Sequence, residues 1–275
     1  MASSGLIAPT QTYGDTVAPQ IYNSFNLTIS PGQYLRFANS GTSGINSSTW
    51  NNYSTVDVDD NFQVGTYNWA VFNQNSGSLN VGGYLSIARN SGSGALNVNG
   101  GVVNAWNRQI IVGEGGDGAL NIYGGRVWAP GGIALSQNSG SKGSLLVGGQ
   151  LDTAQIWRGS GTGDLTLNGG TLKATREEWN FISGLSSATI GGAGAVIDNT
   201  GKNIGINQTL AGSGSGSVNF NGNAWTTLRQ NNTFSGNTVV NDGVLSFYES
   251  GSLYNNGTSS GNITVNSGAT LYFNR

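Results

Sequence analysis

The chain has 275 residues, with Lys+Arg 11 against Asp+Glu 13, a net charge of -2, no histidine and no cysteine. That balance leaves no basic footprint for nucleic acid or anionic lipid, and the inventory excludes disulfides, thiolate chemistry and metal sites built on His or Cys. The 46 glycines would suit a flexible linker, but 7 Trp, 10 Tyr and 9 Phe spread along the chain call for a packed interior.

The start, MASSGLIAPTQ, has neither the basic nor the apolar region of a secretory signal. No apolar run is long enough to span a membrane as a helix. Residues 1–70, rich in Tyr and irregular in spacing, are expected to hold an N-terminal cap and the first rungs of a repeat array, which residues 71–275 carry on as a single continuous domain. Within the first part, Asp57, Asp59 and Asn61 fall at the first, third and fifth positions of a calcium-loop pattern. Phe62 stands where the turn glycine belongs and Asn68 where the bidentate glutamate belongs, so a polar turn is the better reading.

From Gly77 one phrase returns: GSLNVGG at Gly77, GALNVNGG at Gly94, GALNIYGG at Gly118, GSLLVGG at Gly143 and GDLTLNGG at Gly163, separated by 17, 24, 25 and 20 residues. Such a period means a solenoid. Gly113, Gly115 and Gly118 also spell G-x-G-x-x-G, but the residues after them alternate as a strand and no helix follows to hold a pyrophosphate, so these glycines are read as turns.

Each unit carries two or three strand-like runs, for example Leu96 to Val98, then Val102 to Trp106, then Ile110 to Val112: the content of one turn of an all-β parallel β-helix. Alternation stacks Leu79, Leu96, Leu120, Leu145 and Leu165 inward, beside Val81, Val98, Ile122, Val147 and Leu167. A third inward column is expected in Leu85, Val103, Val127, Leu151 and Leu172, followed two residues on by Ile87, Ala105, Ala129, Thr153 and Ala174. The glycine pairs, from Gly82-Gly83 to Gly169-Gly170, fit the corners. In this register Asp117 and Lys142 stack within salt-bridge reach.

Further on, Glu177-Glu178 lies in an irregular insertion, and weaker copies come after it as GSVNFNGN at Gly216, GNTVVNDG at Gly236 and GNITVNSG at Gly261. The strand-like ATLYF near Arg275 has no evident cap, which points to a fragment of something longer or to a subunit that stacks.

These phrases resemble autotransporter-associated β-strand repeats, found in passenger domains of bacterial type V secretion, most clearly in GAGAVIDNTGKNIGINQTLAGSGSGSVNF and NNTFSGNTVVNDGVLSF. The stretch from Gly77 to Ala174 is similar to the related short repeat of secreted bacterial surface proteins. The resemblance implies a right-handed parallel β-helix, exported to the bacterial cell surface and serving adhesion, aggregation or biofilm formation. The family's signal peptide and C-terminal barrel are not in this sequence, so any membrane attachment would run through flanking segments.

Catalysis finds little purchase. The nonapeptide calcium repeat fails where Leu120 and Val196 replace its aspartate. Glycoside hydrolysis needs two facing carboxylates, and Glu114, Asp117, Asp152 and Asp164 fall at different phases of the rung. The outward aromatic and cationic residues Tyr84, Arg126 and Trp128 are the better lead, expected on one wall where they could stack on sugar rings or anchor an interface. The remaining tryptophans, Trp50, Trp69, Trp106, Trp157, Trp179 and Trp225, are assigned mostly to core edges and caps. The expectation is a non-catalytic extracellular stalk or adhesin without metal or cofactor, whose partners are surface glycans, other cells or copies of itself. Alternatives are a subunit of an end-to-end filament and a polysaccharide-degrading β-helix enzyme.

Overall fold

In the stretch DGALNI, Asp117–Ile122, every second residue is buried: Gly118, Leu120 and Ile122 face in while Ala119 and Asn121 face out. A corner over 123–125 leads to Arg126–Ala129, which buries Val127 and Ala129, and a second corner over 130–132 leads to Ile133–Leu135. The computed structural model describes residues 21–23, 27–29, 35–37, 48–106, 108–255, 258–259 and 261–274. It repeats this three-strand coil along them, with no helix among the described residues.

Apart from a small antiparallel pair, Tyr254–Asn255 with Thr258–Ser259, each strand pairs in parallel with its counterpart one coil on, so the coils stack into three walls. The first wall has 9 strands, from Ile21–Asn23 to Ala211–Gly212; the second has 11, from Leu27–Ile29 to Ile263–Val265; the third has 11, from Leu35–Phe37 to Thr270–Asn274. At about 4.8 Å per coil the solenoid is on the order of 50 Å long. Among the described residues the last two coils have no first-wall strand; there Thr233 and Ser252 make isolated bridges, to Ala211 and Asn231. The strands between Ile21 and Val64 are already rungs of the three walls. A cap before them would fall on residues 1–20, outside the described residues.

One core runs through all the coils. On the first wall Trp50, Phe72, Leu96, Leu120, Leu145, Leu165 and Ala188 lie in register. Facing them are Val56, Leu79, Val103, Val127, Leu151 and Leu172 of the second wall and Phe62, Leu85, Ile110, Ile133 and Ile156 of the third. All are buried, and each Leu or Ile taken from water contributes about 1.5–3 kcal/mol. The neighbouring inward column of the first wall, that of Val98 and Ile122, begins with a polar pair: Asn52 and Gln74 are fully buried, and Asn52 Nδ2 donates to Gln74 Oε1 at 2.9 Å. Both amides also donate to corner carbonyls, of Ser54 and Ser76, so neither is left unpaired.

The register differs from the sequence reading at one end. Leu79 and Val81 pair with Val103 and Ala105 on the second wall, and Leu85 with Ile110 on the third. Phe72 and Gln74 take the expected places of Leu79 and Val81 beneath Leu96 and Val98. The phrase GSLNVGG thus sits one wall away from GALNVNGG, which is why its spacing is 17 residues where a full coil, Phe72 to Leu96, takes 24. The weaker copies Val218–Asn221, Thr238–Val240 and Ile263–Val265 also lie on the second wall. The phrase encodes a strand ending in a tight corner, and both walls end that way.

Gly113 occupies such a corner. Its φ is 74°, and a Cβ there would meet the Lys142 carbonyl oxygen at 2.1 Å, one coil on. The insertion at Glu177-Glu178 becomes a bulge: Glu178 pairs with Ile204 and Ile182 with Ile206, four residues against two.

Candidate binding surface

The outward positions of the walls form ladders. On the first wall Asn51, Asn73, Asn97 and Asn121 lie in register, and each amide donates to the Oδ1 of the one before it, at 2.9, 2.8 and 2.9 Å. On the second wall Asn104 donates to Asn80 at 2.7 Å and Asn80 to Asp57 at 2.6 Å. Asp57 therefore ends an amide ladder from inside a strand, Thr55–Val58, rather than opening a loop. A third run links Asn266, Asn241 and Asn221.

Arg126 and Trp128 do share the second wall, on Arg126–Ala129, and both face outward. Arg126 Nε donates to Asp152 Oδ2 at 2.8 Å, and Gln150 Nε2 donates to the same oxygen at 2.8 Å. Trp128 is half-buried and meets Trp106 edge to face, ring centroids 5.0 Å apart. Tyr84 is elsewhere. It precedes Leu85–Ile87, at the corner between the second and third walls, because its phrase is displaced by one wall. The Arg108 guanidinium lies 5.0 Å from its ring centroid, and Nη1 donates to the phenol oxygen at 3.2 Å. The three candidates do not form one surface. The tryptophan assignment is also corrected: Trp50 is in the core, but Trp69, Trp106, Trp179 and Trp225 are exposed, Trp69 and Trp225 on outward strand positions and Trp106 at a corner.

Tyr84 instead stands on the bank of a groove of about 330 Å³ along the outside of the third wall. Its floor is the outward column Gln63, Ser86 and Ile111, in register on successive coils. Opposite Tyr84 the corners supply Arg89, Glu114 and Gln137. Glu114 accepts from Ser86 Oγ at 2.6 Å and pairs with Arg89 at 3.6 Å. Gln63 is 1% exposed, and its Oε1 has no hydrogen-bond partner. Sequence reasoning missed this groove. Its floor residues are the middles of three-residue strands too short to show alternation, and its banks come from corners of different coils.

The acidic residues stay apart as the sequence suggested. Asp117 and Asp164 are on the first wall and Asp152 on the second. Among the described residues no group of three Asp or Glu side chains gathers to hold a metal ion. Asp117 and Lys142 do stack, in register and 4.0 Å apart. No known protein family, curated protein or solved structure matches the chain.

Proposed function

We propose that the chain is a non-catalytic rigid stalk of the bacterial cell surface, of the autotransporter passenger kind, that displays its outer walls to surface glycans, other cells or copies of itself. The observation that carries this reading is the single core in register through seven successive coils, from Trp50 to Ala188, on the first wall. A solenoid with one continuous core transmits its shape end to end, and the amide ladders tie its outer faces in the same direction. The likeness of its phrases to repeats of exported surface proteins supports the location.

Beads coated with the purified chain test the reading. They are expected to adhere to cells or to each other, and beads that do neither remove it.

A specific observation favours end-to-end assembly as a second reading. On the last described coil Ile263, Val265, Tyr272 and Phe273 are exposed, and its backbone edge offers a template for another rung. Sedimentation over a range of concentrations decides: growing species favour stacking, and a constant monomer rules it out.

A further inference from the structure

We propose that the groove on the outside of the third wall is a binding site for a short neutral oligosaccharide. This deepens the adhesive reading above and rests on it. Most amides on the other outer faces bond one another in ladders, and where Asn51 Nδ2 and Asn75 Nδ2 lack partners the orphan is a donor at a ladder's end. Here a buried acceptor, Gln63 Oε1, is left without a donor, and a buried unpaired polar group is costly unless something else completes it.

The ligand's chemistry follows from the lining. The one cation and one anion in it, Arg89 and Glu114, already face each other at 3.6 Å, so the groove offers no net charge to an ionic ligand. What remains are the amides of Gln109 and Gln137, which can donate and accept, the Ser86 oxygen, which can still accept while its hydrogen goes to Glu114, and the Gln63 oxygen that needs a donor. A molecule with many hydroxyls and no charge answers such a set. Tyr84 adds an aromatic ring held in place by Arg108 over one face, and the other face is the element that can pack against the C–H face of a sugar ring.

Size agrees. The lining residues come from four successive coils, from Gln63 to Gln137, so the groove runs about 14 Å along the solenoid axis. Its volume of about 330 Å³ lies at the small end of ligand sites. A chain of two or three sugar residues matches both.

The test is a printed array of neutral and acidic di- to tetrasaccharides probed with the full chain, followed by calorimetric titration of any hit. The expected result is binding to neutral members, weakened at least tenfold in Tyr84→Ala and in Glu114→Gln. Tyr123→Ala, which removes a more exposed aromatic at a different corner, is expected to bind as the parent does. Thermal melts accompany each variant. If Glu114→Gln alone lowers the melting temperature, Tyr84→Ala decides, since that side chain is on the surface.

Binding to no neutral member, binding of acidic glycans only, or full affinity in Tyr84→Ala would overturn the proposal. Bead adhesion separates the two readings. Adhesion that persists in Tyr84→Ala with a blank array removes the groove and keeps the stalk as an adhesin; absence of both removes both. Saccharide binding without adhesion keeps the site and removes its adhesive role.

Discussion

Asn121 donates its side-chain amide to Asn97 across one coil at 2.9 Å, and Asn97 passes the pattern on to Asn73 at 2.8 Å. Every amide in this ladder points the same way, so an interior member holds two bonds and an end member one. Leu146 stands in register beyond Asn121 and cannot continue the run. At the other end the residue in register with Asn51 is Tyr22, and Asn51 Nδ2 is buried without a partner.

A hydrogen bond of this kind contributes about 0.5–1.5 kcal/mol net. Asn97→Ala is therefore expected to cost about 1–2 kcal/mol in urea unfolding, and Asn121→Ala about half as much. Equal costs would mean that the ladder does not act as a chain of bonds.

The glycine at the end of the third wall gives a sharper contrast. At Gly113 an added Cβ meets the Lys142 carbonyl oxygen at 2.1 Å, whereas at Gly140, with φ 81°, nothing lies within 4 Å. Both positions carry the strain of a left-handed backbone, about 1–3 kcal/mol for a non-glycine residue. Only the first adds a clash with the next coil. Gly113→Ala is expected to cost at least about 2 kcal/mol more than Gly140→Ala, read as the difference in unfolding midpoints at constant slope.

These two sites also mark how far the sequence could be read. The column Leu96, Leu120, Leu145 and Leu165 was legible because six-residue strands such as Asp117–Ile122 alternate plainly, and the stacking of Lys142 on Asp117 came with it. The third wall was far less so. Its first strands, such as Phe62–Val64 and Leu85–Ile87, are three residues long and buried throughout, so the single polar residue at the centre of each, Gln63 or Ser86, is too little to show an alternation. That also concealed the position of Tyr84, since the wall before the phrase at Gly77, Trp69–Gln74, places Gln74 where an aliphatic residue was expected. Gln63 gave no signal because its importance lies in a missing partner, which only packing reveals.

Two ion pairs on adjoining walls should differ in strength. Asp117 and Lys142 lie 4.0 Å apart with side chains 61% and 70% exposed, so solvent screens them. Such pairs contribute about 0–1 kcal/mol. Asp152 is 10% exposed and takes a 2.8 Å bond from Arg126. Removing that partner leaves a largely buried carboxylate with only the Gln150 amide. Arg126→Ala is expected to destabilise by about 1.5–3 kcal/mol and Lys142→Ala by less than about 0.5 kcal/mol. Raising salt should erase the second effect and leave most of the first.

The same logic of neighbours orders the coils by resistance to opening. A coil with all three walls is braced on both sides by strands that share the core, as Leu120 is by Leu96 and Leu145. Among the described residues the last two coils have no first-wall strand, and on the final one Ile263–Val265 and Thr270–Asn274 are largely exposed. Stability in a solenoid is close to a sum of coil and interface terms, so a coil with two walls and one neighbour should open locally while the rest stays folded. Native-state hydrogen exchange is expected to show the amides of Thr270–Asn274 and Ile263–Val265 exchanging fastest and those of Asp117–Ile122 only with global unfolding. Leu120→Ala, which hollows the centre at about 2–5 kcal/mol, should lower protection in Lys142–Val147 and Ser93–Val98 before it reaches the terminal coils. Uniform loss along the chain would show instead that the stacked coils unfold as one unit.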